Sequence, residues 1–306
     1  MALFIHRRTR HLRQVLGAIR KYRPSRLFVF ADGWQRGNGK EEQDCRQARQ
    51  LVQTSVDWPC QISLHFSSRN KGLKTSVEQG LAHVFRQVSE AIVLEDDCVA
   101  SSAFFFFCEQ NLKKHRRDPM MMSISGSCFV APGVPIPGRA YLSRYPHCWG
   151  WATWARAWRK YRGAISPGAL RKILDRQRFP KPEQEYWSRV AVQLAGKKMS
   201  SWAYFWLWAH WSHGGRALSP AVNLVRNIGF DSTARHTREL AKPLLVRTGN
   251  PSLVFQGPIL SIPESENLDR SVFRSHYRRM AGRRGWREKI TDRLRLLLPG
   301  WTRGGG

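Results

Sequence analysis

Ala91-Ile92-Val93-Leu94-Glu95-Asp96-Asp97 is the stretch on which the rest of the chain turns. Four apolar residues, two of them β-branched, read as a short buried strand, and three consecutive acids stand where it leaves its sheet. In open α/β sheets ligands collect outside the carboxyl ends of the strands, so carboxylates placed there face a crevice. Three neighbouring acids repel one another. They form either a solvated acidic turn or a site for a hard divalent cation, which takes carboxylate oxygen and keeps positions open for phosphate.

Upstream the pattern is regular. Ala2-Leu3-Phe4-Ile5 reads as a first strand, followed by a basic turn through Arg8 and a helix with Leu12, Val15, Leu16 and Ile19 on one face, closed at Pro24. Leu27-Phe28-Val29-Phe30-Ala31 is a second strand, ended by Asp32-Gly33, so Asp32 also stands at a strand's carboxyl end or in a simple turn. A helix carrying Cys45, Ala48, Leu51 and Val52, a strand Ile62 to Phe66, the turn Arg69-Asn70-Lys71-Gly72 and a helix with Val77, Leu81, Val84 and Val88 complete a βαβαβαβ order. Such an order predicts right-handed crossovers and a parallel sheet. Neither GxGxxG nor a Walker loop occurs, which argues against dinucleotide dehydrogenases and P-loop NTPases.

Downstream, Ser101 or Ser102 caps a helix holding Phe104, Phe107, Cys108 and Leu112, and Met121 to Ser125 form another strand. The Pro- and Gly-rich loop 131–140 divides this half from a tryptophan-rich one. The expected organisation is a first half at 1–130, a second half of the same domain at 131–240, and a basic C-terminal extension at 241–306.

Across 306 residues, 51 basic side chains face 22 acidic ones, a net charge of +29 that suits a polyanionic partner: phosphate-bearing substrate, anionic membrane or nucleic acid. The apolar content of 42% is that of a folded globular chain. No apolar run is long enough to span a bilayer and no signal-peptide pattern opens the sequence, so the expected location is cytoplasmic. Six cysteines without CxxC spacing predict reduced thiols rather than a zinc site or a disulfide framework. Thirteen tryptophans serve either as core or as platforms for flat ligands.

Leu94-Glu95-Asp96-Asp97-Cys98, the block Trp149-Gly150-Trp151-Ala152-Thr153-Trp154 with Ala157-Trp158, and Asn223 to Phe230 with His236-Thr237 together resemble bacterial nucleotide-diphospho-sugar transferases of the GT-A fold, of the hemolysin-like, surface-polysaccharide type. The resemblance covers about residues 2–237. It implies an α/β fold of GT-A type: a Rossmann-like, mostly parallel sheet flanked by helices, with a tryptophan-rich acceptor-side half. It further implies that Asp32, Asn70 and Asp96 contact the nucleotide sugar, and that Glu95, Asp97 and His236 hold Mn2+ or Mg2+ against the diphosphate of a UDP- or dTDP-type donor. The acceptor would be a glycan or a lipid-linked molecule. One departure stands out. Where the family commonly has Trp-Asp-Tyr, its aspartate a candidate general base, this chain reads Trp202-Ala203-Tyr204. Inverting transfer needs a group to accept the acceptor's proton; Glu183, Glu185 and Asp231 are the substitutes on offer, and a donor-binding assembly partner without turnover is the alternative.

In the arginine-dense tail, Ile290, Leu294, Leu297 and Leu298 mark one apolar helical face before Pro299. That pattern fits a helix lying on an anionic membrane surface, or one packed on its own domain. A nucleic-acid-binding protein is the remaining reading, from charge alone; it predicts steeply salt-dependent binding.

Overall fold

The computed structural model describes residues 1–230, 250 and 264–278. His236, Asp231 and the amphipathic pattern at 290–298 lie outside the described residues.

The chain runs β1 (Ala2–Ile5), α1 (Thr9–Tyr22), β2 (Arg26–Ala31), α2 (Gly39–Ser55), β3 (Gln61–Phe66), α3 (Leu73–Val84), β4 (Glu90–Glu95), β5 (Cys98–Ala100), α4 (Ser102–Lys114), β6 (Met121–Ser125), β7 (Ala140–Ser143), β8 (Trp151–Trp154), α5 (Ala155–Trp158), α6 (Pro167–Arg176), α7 (Lys181–Ala195), α8 (Trp202–Ser212), β9 (Arg216–Pro220), β10 (Val225–Asn227) and α9 (Glu266–Val272). Among the described residues, eight strands form one sheet in the order β3-β2-β1-β4-β8-β6-β9-β7. The first four are parallel, as are β6 and β9; β8 runs antiparallel to both its neighbours and β7 antiparallel to β9. The α/β class and mostly parallel sheet are as expected. The insertion of β8 into the middle is not something the βαβ order foretells.

Local chemistry explains the elements. β1, β2 and β4 are covered on both faces, hence their unbroken apolar runs. α1 ends because Arg23 turns left-handed (φ 52°) and donates its N–H to Ile19, after which Pro24 cannot continue the helix. Asn38, Ser101, Ser166 and Ser201 cap α2, α4, α6 and α8 through their side-chain oxygens. At Gly80, on α3, a Cβ would come within 2.5 Å of the Phe4 ring, so the helix lies closer to β1 than any side chain permits.

Three apolar layers result. One face of the sheet is covered by α1, α2 and α4 through residues such as Leu12, Val15, Ala48, Phe104 and Phe107. The other carries α3, α5 and α8, where Trp151 on β8 packs against Trp202 and Trp206 with ring centroids 5.6 and 5.7 Å apart. Fully burying each such aromatic contributes on the order of 2–3 kcal/mol. The third layer, built by α6, α7, α8 and α9, gathers Tyr145, Trp187, Trp208, Trp211, Val272 and Phe273. Most tryptophans are therefore core rather than platform, and residues 264–278, placed by sequence in a C-terminal extension, return to complete this second-half core. All six cysteines are free; Cys60 and Cys148 are partly exposed and the others buried. No helix of the described residues is long and apolar enough to cross a membrane.

Candidate functional site

The carboxyl ends of β1, β2 and β4 open onto a common rim, and side chains from each are cross-braced there. Beyond β1, His6 donates its backbone N–H to Asp96 Oδ2 at 2.9 Å, while its Nε2 lies 3.1 Å from the Gly33 carbonyl and 3.6 Å from Glu41 Oε1. Beyond β2, the Asp32 carboxylate accepts three backbone N–H groups, from Gly33, Lys71 and Gly72, each at 2.9 Å. Asn70 adds a 2.8 Å bond from Nδ2 to the Gly33 carbonyl. The two loops approach so closely that a Cβ on Gly33 would sit 2.4 Å from the Arg69 carbonyl carbon, so only glycine fits. Arg49 ties the same corner from below, donating to the carbonyls of Asp32 and Ser67 at 3.1 and 2.7 Å.

Beyond β4 stand the three acids. Asp96 is 9% exposed and turned toward the β1 backbone. Asp97 Oδ2 forms a 2.8 Å ion pair with Arg8, the residue that precedes α1. Its carbonyl accepts the Ile228 N–H at 2.9 Å, an extension of the antiparallel β5–β10 pairing that brings residues 225–229 to the rim. Gly229 is required there, since a Cβ would lie 2.0 Å from Asp97 Oδ2. Among the described residues the Glu95 carboxylate has no hydrogen-bond or ion-pair partner. Burial, then the charges of Asp97 and Asp96, push Glu95 up to about 8; burial and Asp97 push Asp96 up to about 7, against the opposing His6 N–H and Arg8.

Cys148, on the segment entering β8, lies within electrostatic reach of Glu95, and burial holds its thiol well above the usual range. Next to it Trp149 is partly buried, edge-on to Phe129 at 5.1 Å and to Phe230 at 5.2 Å.

The sequence-predicted residues thus divide. Asp32, Asn70, Glu95, Asp96 and Asp97 come together on one rim. Glu183 does not join them: it is 4% exposed in the second-half core, where it accepts the Tyr145 hydroxyl, and burial raises it to about 7. A carboxylate enclosed by Tyr145, Arg144 and Asp269 leaves no room for an acceptor hydroxyl, which corrects its candidacy as the base. Glu185 points to solvent from the outer face of α7, opposite the buried Tyr186 and Trp187. Two partners of the site, His6 and Arg8, escaped the sequence reading, although a basic turn after β1 was its visible sign.

Among the described residues no three His, Cys, Asp or Glu side chains converge as a metal-binding group. Glu95 and Asp97 nevertheless supply hard oxygen donors, and the Glu95 carboxyl, without a partner among the described residues and held from ionising by burial and its acidic neighbours, is the local observation that fits a divalent cation there. Asp96, committed to β1, is not available in the same way.

No protein-family model matches the chain, and no curated protein is significantly similar to it. Among solved structures, a UDP-glucose pyrophosphorylase complexed with UDP-glucose is similar at 13% identity and a TM-score of 0.27, over 46% of this chain; the chain spans 65% of that protein's length. A mannose-1-phosphate geranyltransferase from Thermus thermophilus is similar at 11% identity and a TM-score of 0.34, over 74% of each chain. An apo UDP-glucose pyrophosphorylase is similar at 10% identity and a TM-score of 0.31, over 72% of this chain and 89% of that one. Similarity this remote carries no functional information.

Proposed function

We propose that the protein is a glycosyltransferase that takes a sugar from a nucleoside diphosphate donor, of UDP or dTDP type, and delivers it to a glycan or lipid-linked acceptor. The observation that carries this reading is the Glu95 carboxylate, unpartnered among the described residues, beside Asp97 at the carboxyl end of β4. Glu95 and Asp97 would hold Mn2+ or Mg2+. When bound, that ion supplies positive charge against the diphosphate that departs.

The chain's own residues do the rest. Arg8, half-buried and already at Asp97, offers a guanidinium to the diphosphate. The clasp of Asp32 on the 70–72 loop fixes the floor on which the nucleoside rests. Trp149, half-exposed at the rim, offers an indole face to a sugar ring. Titration calorimetry of UDP and dTDP, with and without Mn2+, tests the reading. Binding strengthened by Mn2+ and weakened at least tenfold in Asp97→Ala is expected; binding indifferent to both would overturn it.

A second reading, a donor-binding partner that does not turn the donor over, draws on Ala203 in the first turn of α8 and on the enclosure of Glu183. It predicts Mn2+-dependent nucleotide binding with no release of nucleoside diphosphate from any donor sugar. An amphipathic tail resting on an anionic leaflet would set either protein beside lipid-linked acceptors, and co-sedimentation with phosphatidylglycerol vesicles tests that placement.

A further inference from the structure

Among the described residues β3 and β7 are the edge strands of the sheet. The β7 edge is partly closed, because Leu142 forms a parallel bridge with Glu264. The β3 edge is open. β3 runs parallel to β2, and Gln61 and Ser67 donate their N–H groups to the carbonyls of Ser25 and Ala31 at 2.8 and 2.9 Å. The odd-numbered residues of β3 therefore turn their backbone groups toward β2, and the alternation of a strand turns those of Ile62, Leu64 and Phe66 outward. There, among the described residues, they take no partner. The three side chains share one face of the sheet and are partly buried against the core that α1 and α2 cover.

Open edges are ordinarily blunted by lysine, proline, a bulge or a covering segment. Gln61-Ile62-Ser63-Leu64-His65-Phe66 holds no lysine and no proline, and its register with β2 is unbroken. No lysine or arginine occurs between Arg49 and Arg69. In a chain of net charge +29, that absence selects the partner. An anionic molecule gains most on the cation-rich surface elsewhere, whereas a copy of the same cationic chain approaches best where cations are withdrawn. The strand is also complementary to itself. Antiparallel pairing about a two-fold axis at Leu64 sets Leu64 opposite the partner's Leu64 and Ile62 opposite the partner's Phe66. Each such pair exchanges two N–H···O bonds, so every outward backbone group finds a match. Apolar side chains then meet on one face, and on the other Ser63 stands opposite the partner's His65, with no like charges opposed.

We infer that β3 is a docking edge at which a second copy of this chain adds, joining the two sheets into one across a two-fold axis. The inference is independent of the transferase reading. The paired strands run in opposite directions, so the rims at the carboxyl ends of the strands fall at opposite ends of the joined sheet and both stay open.

Sedimentation velocity of the full chain tests it, in about 0.15 M salt, which screens the net charge beyond about 8 Å. Wild type is expected to sediment as a dimer at about 10 μM. Leu64→Lys sets two ammonium groups face to face across the axis and should raise the dissociation constant at least about tenfold, with an unchanged circular dichroism spectrum. Leu64→Cys should form a disulfide-linked dimer when an oxidant is added, since paired Cα atoms about 5.5 Å apart fall within disulfide reach. Wild type and Leu73→Cys, the latter 45% exposed at the start of α3 and off the edge, should not. If Leu64→Lys fails to fold, the cross-link decides. A wild type that stays monomeric up to about 100 μM would overturn the inference and leave the edge to a strand of another protein. A dimer that survives Leu64→Lys, or that Leu64→Cys does not cross-link, would overturn it by moving the interface elsewhere.

Discussion

Replacing Glu95 by glutamine should stabilise the protein and abolish its response to Mn2+. The side chain's ordinary value of 4.5 rises to about 8 in the fold, so the native state holds a proton that the unfolded chain releases. A carboxyl raised in this way contributes stability that is complete below the unfolded value and is lost as pH climbs toward about 8. By linkage the loss at pH 7 is at most about 3 kcal/mol, and because the group is partly exposed, solvent screening brings it nearer ~2 kcal/mol. Glutamine keeps the shape and does not titrate. At pH 7 to 8 its melting temperature should exceed the wild type's by roughly 4 °C, with the gap closing by pH 5. Scanning calorimetry across pH 5 to 8 reads this directly. The same scans with Mn2+ at 100 times its dissociation constant should raise wild type by about 2.7 kcal/mol and leave the variant unmoved. A variant no more stable than wild type at pH 8, or one that Mn2+ stabilises equally, would refute the claim that Glu95 is held in wait for a cation.

Arg8→Ala leaves Asp97 without its ion pair and should cost about 2 kcal/mol in a urea melt. In calorimetry it should tighten Mn2+ binding to the free protein while weakening UDP, because one positive charge leaves the rim. Gly33→Ala forces the two loops apart and should cost about 1–3 kcal/mol, with UDP affinity falling in parallel and Mn2+ affinity unchanged. Glu183→Gln removes a buried carboxyl raised to about 7; wild type should lose stability between pH 5 and 7, and the variant should lose about 2 kcal/mol less over that span. A slope unchanged in Glu183→Gln would show that this carboxyl is not the group responsible.

The halves of the chain were unequally legible. β1, β2 and β4 announce themselves because strands covered on both faces must be apolar throughout, and the helices between them keep a clean apolar stripe. Trp151-Ala152-Thr153-Trp154 is equally a strand, but all four positions are buried, so no alternation marks it and large indoles resemble a ligand platform. β7 hides at the end of the Pro- and Gly-rich loop it closes, and β5 and β10 are three residues each, too short for any period. At the site, the acids were visible because they break an apolar run. Their restraints were not: His6 meets Asp96 across 90 positions, and Asn223 meets Cys128 across 95.

The layout of β1, β2 and β3 has an electrostatic result that needs no side chain. Each strand is followed by a helix of twelve or more residues, α1, α2 and α3, whose amino end lies on the rim where the strands finish. Such ends carry a partial positive charge from their peptide dipoles, met in part at α2 by Asn38 and Glu41 and at α3 by Asp32. The diphosphate of the proposed donor would therefore meet a fringe of fixed backbone dipoles that no substitution of a side chain removes, leaving the acids as the part of this edge that side chains set.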